Sequence, residues 1–245
     1  PAPSYAAPQL NDKPGWYRIA PHVHTVHSDG RLTPAEVIAL GKASGLDGIV
    51  STDHNTTSAL LHWGEVQDPE FLVINGMEVT YGQGHWNIFG LDPHAWIDFR
   101  IHHNDTLRYR KAVAKARKAG RLLVANHPYN LDFLYDVTPM DGIEVWNSAW
   151  SPANERAVEL WHTLLVGGNR KFAVASTDFH RGGNIASPHT VVRAEALSAE
   201  AVIDAIAAGR SYMARDTSVE IGMQVRNSAT PVQHADIGDT LLRSG

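Results

Sequence analysis

Pro21-His22-Val23-His24-Thr25-Val26-His27-Ser28-Asp29-Gly30 is the stretch on which the reading of this 245-residue chain turns. Just upstream, Trp16, Tyr17, Arg18, Ile19 and Ala20 have the alternation of a short strand running into it. Side chains two apart on a strand share a face, so His22 and His24 can converge on one metal ion. Asp29, beyond a polar turn closed by Gly30, can curl back over the same point. Alone, the pair is weak evidence, because surface histidines produce it too. Its weight depends on what the other strand ends deliver.

The chain is long enough for one large domain with a substantial core. Its hydrophobic fraction of 43% and charged fraction of 19% are those of an ordinary globular protein. A net charge of −5 argues against a nucleic-acid-binding surface but not against a small phosphorylated substrate held by metal ions. With no cysteine, disulfides and thiolate sites are excluded, and any metal must be held by imidazole and carboxylate. No apolar run approaches the ~20 residues of a membrane span. The beginning at Pro1 fits a trimmed chain or the mature end after signal-peptide removal, so cytoplasmic and periplasmic or secreted locations both stay open.

Residues 1–15, rich in Pro and Ala, read as an extended arm. After the strand at 16–23, Thr33-Pro34-Ala35-Glu36 opens a helix with a capping box, and Gly45 ends it. Residues 48–52 form a strand delivering Asp53-His54-Asn55, 57–67 a helix, and 71–74 a strand running into Glu78. Residues 85–91 are again strand, 103–119 a basic helix with a solvated Lys111–Lys118 face, and 122–125 a strand ending in Asn126-His127-Pro128. Strand 142–147, helix 152–166, strand 172–176 ending in Thr177-Asp178-Phe179-His180, and helix 198–208 follow. From 210 onward Tyr212, Val219, Ile221, Met223 and Val225 alternate loosely, as edge strands do. Strands alternating with helices indicate a parallel α/β architecture; a closed barrel and an open doubly wound sheet both fit. In either, functional groups gather beyond the C-terminal ends of the strands.

Six strand ends carry potential ligands: His22/His24, Asp53/His54, Glu78, His85, His127 and Asp178/His180. One catalytic zinc needs about three protein ligands and an open position. This set exceeds that, so two or three divalent ions with a bridging carboxylate are expected, an arrangement suited to phosphoester hydrolysis. Zinc, manganese and iron all suit these ligands. His62, His102, His103, His162 and His234 read as surface residues, and Trp86, Trp146 and Trp150 as a pocket wall or plain core.

In this order His22-x-His24, Ser28-Asp29-Gly30, Thr52-Asp53-His54, Glu78, Asn126-His127-Pro128 and Ser176–His180 resemble the motifs of the PHP (polymerase and histidinol phosphatase) family of metal-dependent hydrolases. Gly84–Gly90 and Gly209-Arg210-Ser211-Tyr212 further resemble its CehA/McbA-like branch. The resemblance implies a distorted (β/α)7 TIM-like barrel over 16–215 with a trinuclear centre at its mouth, residues 216–245 being a C-terminal β extension packed on the barrel. It implies one metal on His22, His24, Glu78 and Asp178, and a second on Glu78, His127 and a further histidine, for which His85 and Asn87 compete. A third would take Asp29, His54 and His180. The expected reaction is attack of a metal-bridging hydroxide on a small phosphoester, with Arg181 neutralising phosphate oxygens. Asp53 either protonates the leaving oxygen or stands behind a ligand. Asn87, Glu144 and His189 are candidate substrate contacts. A carboxylester or carbamate hydrolase using the same centre, and a non-catalytic scaffold module, are the alternatives.

Overall fold

The computed structural model describes residues 9–82, 84–102, 104–129, 136–227 and 232–241. Strand β1 (Gly15–Val23) leads to helix α1 (Pro34–Ala43), whose start is fixed by the Thr33–Glu36 capping box and Pro34 in the first turn. Then come β2 (Gly48–Ser51), two short 3-10 helices (Ser58–Leu61 and Trp63–Glu65), β3 (Leu72–Tyr81), β4 (Gly84–Phe89) and α2 (Thr106–Ala119). The chain continues through β5 (Leu122–Asn126), β6 (Gly142–Asn147), α3 (Pro152–Val166), β7 (Phe172–Ser176) and β8 (His189–Ala194). It ends with α4 (Ala199–Ala207), β9 (Ser211–Ala214), β10 (Val225–Arg226) and β11 (His234–Ala235).

Nine strands form one sheet in the order β7-β6-β5-β4-β3-β2-β1-β8-β9. The first three strands pair in parallel, as do β5, β6 and β7, while β4 runs against both its neighbours. The sheet curls until the end of β7 meets the upper half of β1. There Phe179 N–H donates to the His22 carbonyl at 3.2 Å, and His24 N–H donates to the Phe179 carbonyl at 2.8 Å. The lower half of β1, Gly15–Ile19, pairs instead with β8. The result is the distorted, seven-stranded TIM-like barrel, closed at the mouth and splayed below, with four α-helices among the described residues.

The key irregularity lies in β1. Ile19 and Ala20 pair with Gly48 and Ile49, but the next pair is Val23 with Ser51, three steps along β1 against two along β2. One extra residue reverses the facing of everything after it. Tyr17 and Ile19 point into the barrel and Ala20 outward; past the bulge Val23 is the outward residue, so His22 and His24 turn in. Hydroxyls take up the two amides that the ladder leaves free at the bulge and add a second hydrogen bond to the carbonyls of the same residues. Ser176 Oγ accepts from His22 N–H and donates to its carbonyl, both at 3.1 Å, while Thr52 Oγ1 does the same for Val23 at 2.9 and 3.1 Å. A second irregularity, between Glu144 and Trp146 of β6, leaves both Glu144 and Asn147 facing inward.

Below the mouth the interior is aliphatic. Ile19, Val50, Ile74, Val124 and Val174 meet Val202, Ile203 and Ile206 of α4, which closes the bottom. Their sequence neighbours Ile49, Val73 and Leu123 face out, as does Ile143 of β6, and are covered by α1, α2 and α3. Three expectations about elements change. Residues 57–67 are two 3-10 turns, because Thr56 Oγ1 accepts from Ser58 N–H at 3.1 Å and the Trp63 indole is tied to Ser51 at 3.0 Å. Strand β8 joins the sheet with no helix between it and β7, so strand–helix alternation gave no sign of it. Residues 216–224 form no strand; β9 precedes them and β10 pairs only with β11.

Of the arm, Leu10 N–H donates to the Leu197 carbonyl at 2.9 Å, while residues 1–8 lie outside the described residues. Of the C-terminal segment, Arg193 bonds the Ile237 carbonyl at 3.0 Å, and 228–231 and 242–245 lie outside the described residues. His103 lies outside them too. Among the described residues no helix is long and apolar enough to cross a membrane.

Candidate metal centre

The turn after β1 is built around Asp53, which is buried at the end of β2. Its carboxylate accepts from Thr25 N–H at 2.8 Å, Thr25 Oγ1 at 2.9 Å and Ser28 Oγ at 2.7 Å. Gly30 closes the turn against the chain itself; a Cβ there would lie 2.6 Å from the His24 carbonyl. The turn so fixed carries Asp29 back toward the histidines. Of the two expectations for Asp53, the geometry favours a place behind a ligand over a proton donor: its oxygens are engaged by three donors in the turn that carries Asp29. Further strand ends are held in the left-handed region, at Asn55 (φ 56°), His127 (φ 25°), Ser148 (φ 53°) and Asp178 (φ 53°). Such backbone persists only where its surroundings over-determine it, as they do at built sites.

Four side-chain atoms then converge. His22 Nε2 stands 3.3 Å from Glu78 Oε2 and 3.1 Å from Asp178 Oδ1; His24 Nε2 stands 3.4 and 3.0 Å from the same two oxygens. Donors bound tetrahedrally at about 2.0–2.1 Å lie about 3.3–3.4 Å apart. All four atoms are buried, and none makes a well-directed hydrogen bond among the described residues. Orphaned buried polar atoms facing one another are costly unless a cation or proton sits among them. The donor set fits a divalent ion.

Glu78, wholly buried, joins this group to the rest. Its Oε1 lies 3.1 Å from His85 Nδ1 and 3.5 Å from His127 Nε2, and accepts from Asn126 Nδ2 at 2.8 Å. Its Oε2 also lies 2.8 Å from His54 Nδ1. Further out, Asp29 Oδ1 lies 3.1 Å from His180 Nε2 and 3.5 Å from His54 Nε2. Those three, with His24, form another group whose donor atoms fall within 4.8 Å of one another. The structure therefore brings together all nine predicted ligands: His22, His24, Asp29, His54, Glu78, His85, His127, Asp178 and His180.

The competition between His85 and Asn87 has a geometric answer. Strand β4 descends into the barrel, so His85 is the upper residue and its ring reaches Glu78. Asn87, two residues deeper, is buried opposite Glu78 with its Oδ1 unpartnered among the described residues. Glu144 touches the ligands instead of open space. Its Oε1 stands 3.0 Å from His22 Nδ1, and its Oε2 accepts from His127 N–H at 3.0 Å and Asn147 Nδ2 at 3.1 Å. That corrects the expectation of a substrate contact: Glu144 fixes the ring of His22 so that Nε2 faces the cluster. His189 is corrected too. It is fully buried on β8 with Nδ1 2.8 Å from the Ala186 carbonyl, outside every donor group and out of reach of a substrate. Arg181 is exposed on the turn after His180, without a hydrogen bond or ion pair among the described residues.

The sequence reading missed Asn147, which reaches Asp178 at 3.5 Å as well as Glu144, and Thr80, whose Oγ1 lies 2.5 Å from His54 Nδ1. Asn147 ends its strand as the ligands do, and that position was the available sign.

The electrostatics follow from burying so many carboxylates together. Burial pulls the His22 pKa down, but Asp178, Glu78 and Glu144 outweigh it and hold it well above the usual histidine value. Burial raises Glu78, yet the surrounding His22, His127 and His54 bring it well below the usual carboxylate range. Asp178 is lowered likewise: its burial is outweighed by His22 and His24. His54 and His127 are raised by Glu78 against their burial, whereas His24 is lowered because burial dominates. Without metal, protons on imidazole balance the carboxylates; a cation would displace them.

Fold and cluster together define a class, a TIM-like barrel with a shared-carboxylate donor cluster at the C-terminal ends of its strands. No protein-family model matches the chain, and no curated protein matches it in sequence. Among solved structures it is similar to a two-domain protein of Bacteroides vulgatus described as containing a predicted PHP-like metal-dependent phosphoesterase. That match has a TM-score of 0.61 and 20% identity over 88% of this chain and 69% of that one. It is also similar to PsfC of Pseudomonas syringae, with a TM-score of 0.58 and 13% identity over 83% of this chain and 93% of that one. Both likenesses are of fold: the barrel is shared while most side chains differ.

Proposed function

We propose that the protein is a PHP-type metal-dependent hydrolase, of the CehA/McbA-like branch, acting on small-molecule esters and on phosphoesters first. The observation that carries this is the set of four buried donor atoms, each histidine nitrogen 3.0–3.4 Å from both carboxylate oxygens, with further donors arrayed around the shared Glu78. Two or three divalent ions, zinc, manganese or iron, would supply Lewis-acid polarisation of the ester and a water made nucleophilic at neutral pH. His22, His24, Glu78 and Asp178 would hold one, Glu78 with His85 and His127 a second, and Asp29, His54 and His180 a third. Glu144 and Thr80 orient His22 and His54. The aliphatic plug beneath excludes water from below, so substrate enters from the mouth. Arg181, exposed next to His180, offers a cation to a phosphate oxygen.

Metal analysis of purified protein with a substrate panel tests this. The saturated protein should hold more than one equivalent of transition metal and cleave phosphomonoesters or diesters, and chelation should abolish both. Less than one equivalent would defeat the multinuclear assignment. Among the described residues the carboxylates Asp29, Glu78, Glu144 and Asp178 pair with histidines and with no Lys or Arg, which favours a carboxylester or carbamate as the second reading. A loaded protein that cleaves aryl esters or carbamates but no phosphoester would establish it.

A further inference from the structure

Of the three tryptophans near strand ends, Trp86 is fully buried core, but Trp146 and Trp150 line a pocket of about 570 Å³ with Ser148, Ser187, Pro188 and Arg215. That volume lies within the range of small-molecule sites. No cluster residue lines it. Asn147 separates Trp146 from Ser148 and points the other way, toward Glu144 and Asp178, so the pocket and the donor cluster use opposite faces of one strand end.

The two indoles stand edge to face, centroids 5.3 Å apart at 86°. Their N–H groups are already engaged: Trp146 Nε1 donates to the Ser148 carbonyl at 3.0 Å, and Trp150 Nε1 to Glu155 Oε1 at 3.4 Å. The orientation of the rings is thus set from within, and what they offer a ligand is π-face. The turn between them is held by Ser148 Oγ, which donates to the Thr177 carbonyl at 2.6 Å. Trp150 is 51% exposed, a large apolar surface on a preset ring. Arg215, directly after β9, is exposed and makes no hydrogen bond or ion pair among the described residues. The adjacent Asp216 turns its carboxylate to the Ser218 amide and hydroxyl, at 3.0 and 2.5 Å. A planar, forked cation beside two aromatic walls selects a ligand that is flat and negatively charged.

We propose that this pocket is a binding site for a flat aromatic anion, an aryl carboxylate, sulfonate or phosphate, separate from the metal-ligand cluster. The test is calorimetric titration of naphthoate into chelator-treated protein at neutral pH, with cyclohexanecarboxylate and naphthol as comparators. Naphthoate should bind, and each comparator, lacking flatness or charge, should bind about tenfold more weakly. Arg215→Gln and Trp150→Ala should each weaken naphthoate by about tenfold, since ring stacking and a charge-assisted hydrogen bond are each of that size. Both side chains are exposed, so the variants keep the fold, which circular dichroism checks. The His22→Ala, His24→Ala double variant should bind naphthoate as the parent does. Absence of binding at millimolar ligand, parental affinity in either pocket variant, or loss in the cluster variant would each overturn the site. Because the titration uses metal-free protein, its outcome is independent of the hydrolase assignment.

Discussion

The lower and upper halves of the barrel interior are built from the same strands and hold opposite contents. Below, Ile19, Val50, Ile74 and Val174 keep regular strand register and pack on α4. Above, β1 and β6 are irregular, and His127 and Asp178 sit in left-handed backbone. The aliphatic half releases free energy by burial and needs no exception to the two-residue period. The polar half spends some of it on buried carboxylates, which only the surrounding imidazoles or a cation make tolerable. Stability is thus concentrated at the bottom and chemistry at the top.

Variants can break that division of labour. The largest effect is expected from His22→Ala with His24→Ala, which should lower turnover by about a thousandfold or more while circular dichroism stays native. Wild-type activity in that protein would sink the site. Ile74→Ala, in the other half, should cost about 2–5 kcal/mol in denaturant unfolding and leave metal stoichiometry unchanged. If it lost metal instead, the halves would not be independent. Glu144→Gln keeps the shape but removes the charge behind His22, and should weaken metal binding by about 10–100-fold in competition with a chromophoric chelator.

The smallest effect is in pH dependence. Glu78 has a folded pKa below the ordinary 4.5, so its contribution to stability is present above that value and lost as pH falls through the folded pKa. His22 has one above the ordinary 6.5, so its contribution is full below that value and lost as pH rises through the folded pKa. Metal-free protein should therefore be most stable between about pH 4.5 and 6.5. The melting temperature gained on adding metal should be larger at pH 8 than at pH 6, by about 2–4 °C for each kcal/mol. An equal gain at both would show that His22 carries no proton in the metal-free state.

Much of the centre was legible because its ligands recur at one kind of place, the residue or two after a short apolar strand. His24, His127 and Asp178 follow that rule, while His22 and Glu78 within their strands, His85 at the start of β4 and Asp29 in the turn after β1 were legible from the ordered family motifs. The roles of Glu144 and His189 were not, and for Asp53 two readings stood open. Asp53 and Glu144 have the same chemistry as ligands and stand at or beside the same strand ends; what separates them is which donors already occupy their oxygens. His189 belongs to a strand whose partners, β1 and β9, lie far away along the chain.

By itself, then, the sequence determined most of the strands, the aliphatic interior and the candidate donors, since period-two patterning and local capping are properties of neighbouring residues. It even held the trace of the bulge, in Tyr17 and Ile19 at odd positions followed by His22 and His24 at even ones. Only the tertiary structure decided that the sheet closes at Phe179 and that Ser176 and Thr52 accommodate the bulge. It alone set Glu144 behind His22 and Thr80 behind His54. Those outcomes rest on hydrogen bonds between residues as far apart in the chain as His22 and Phe179, which no local pattern specifies.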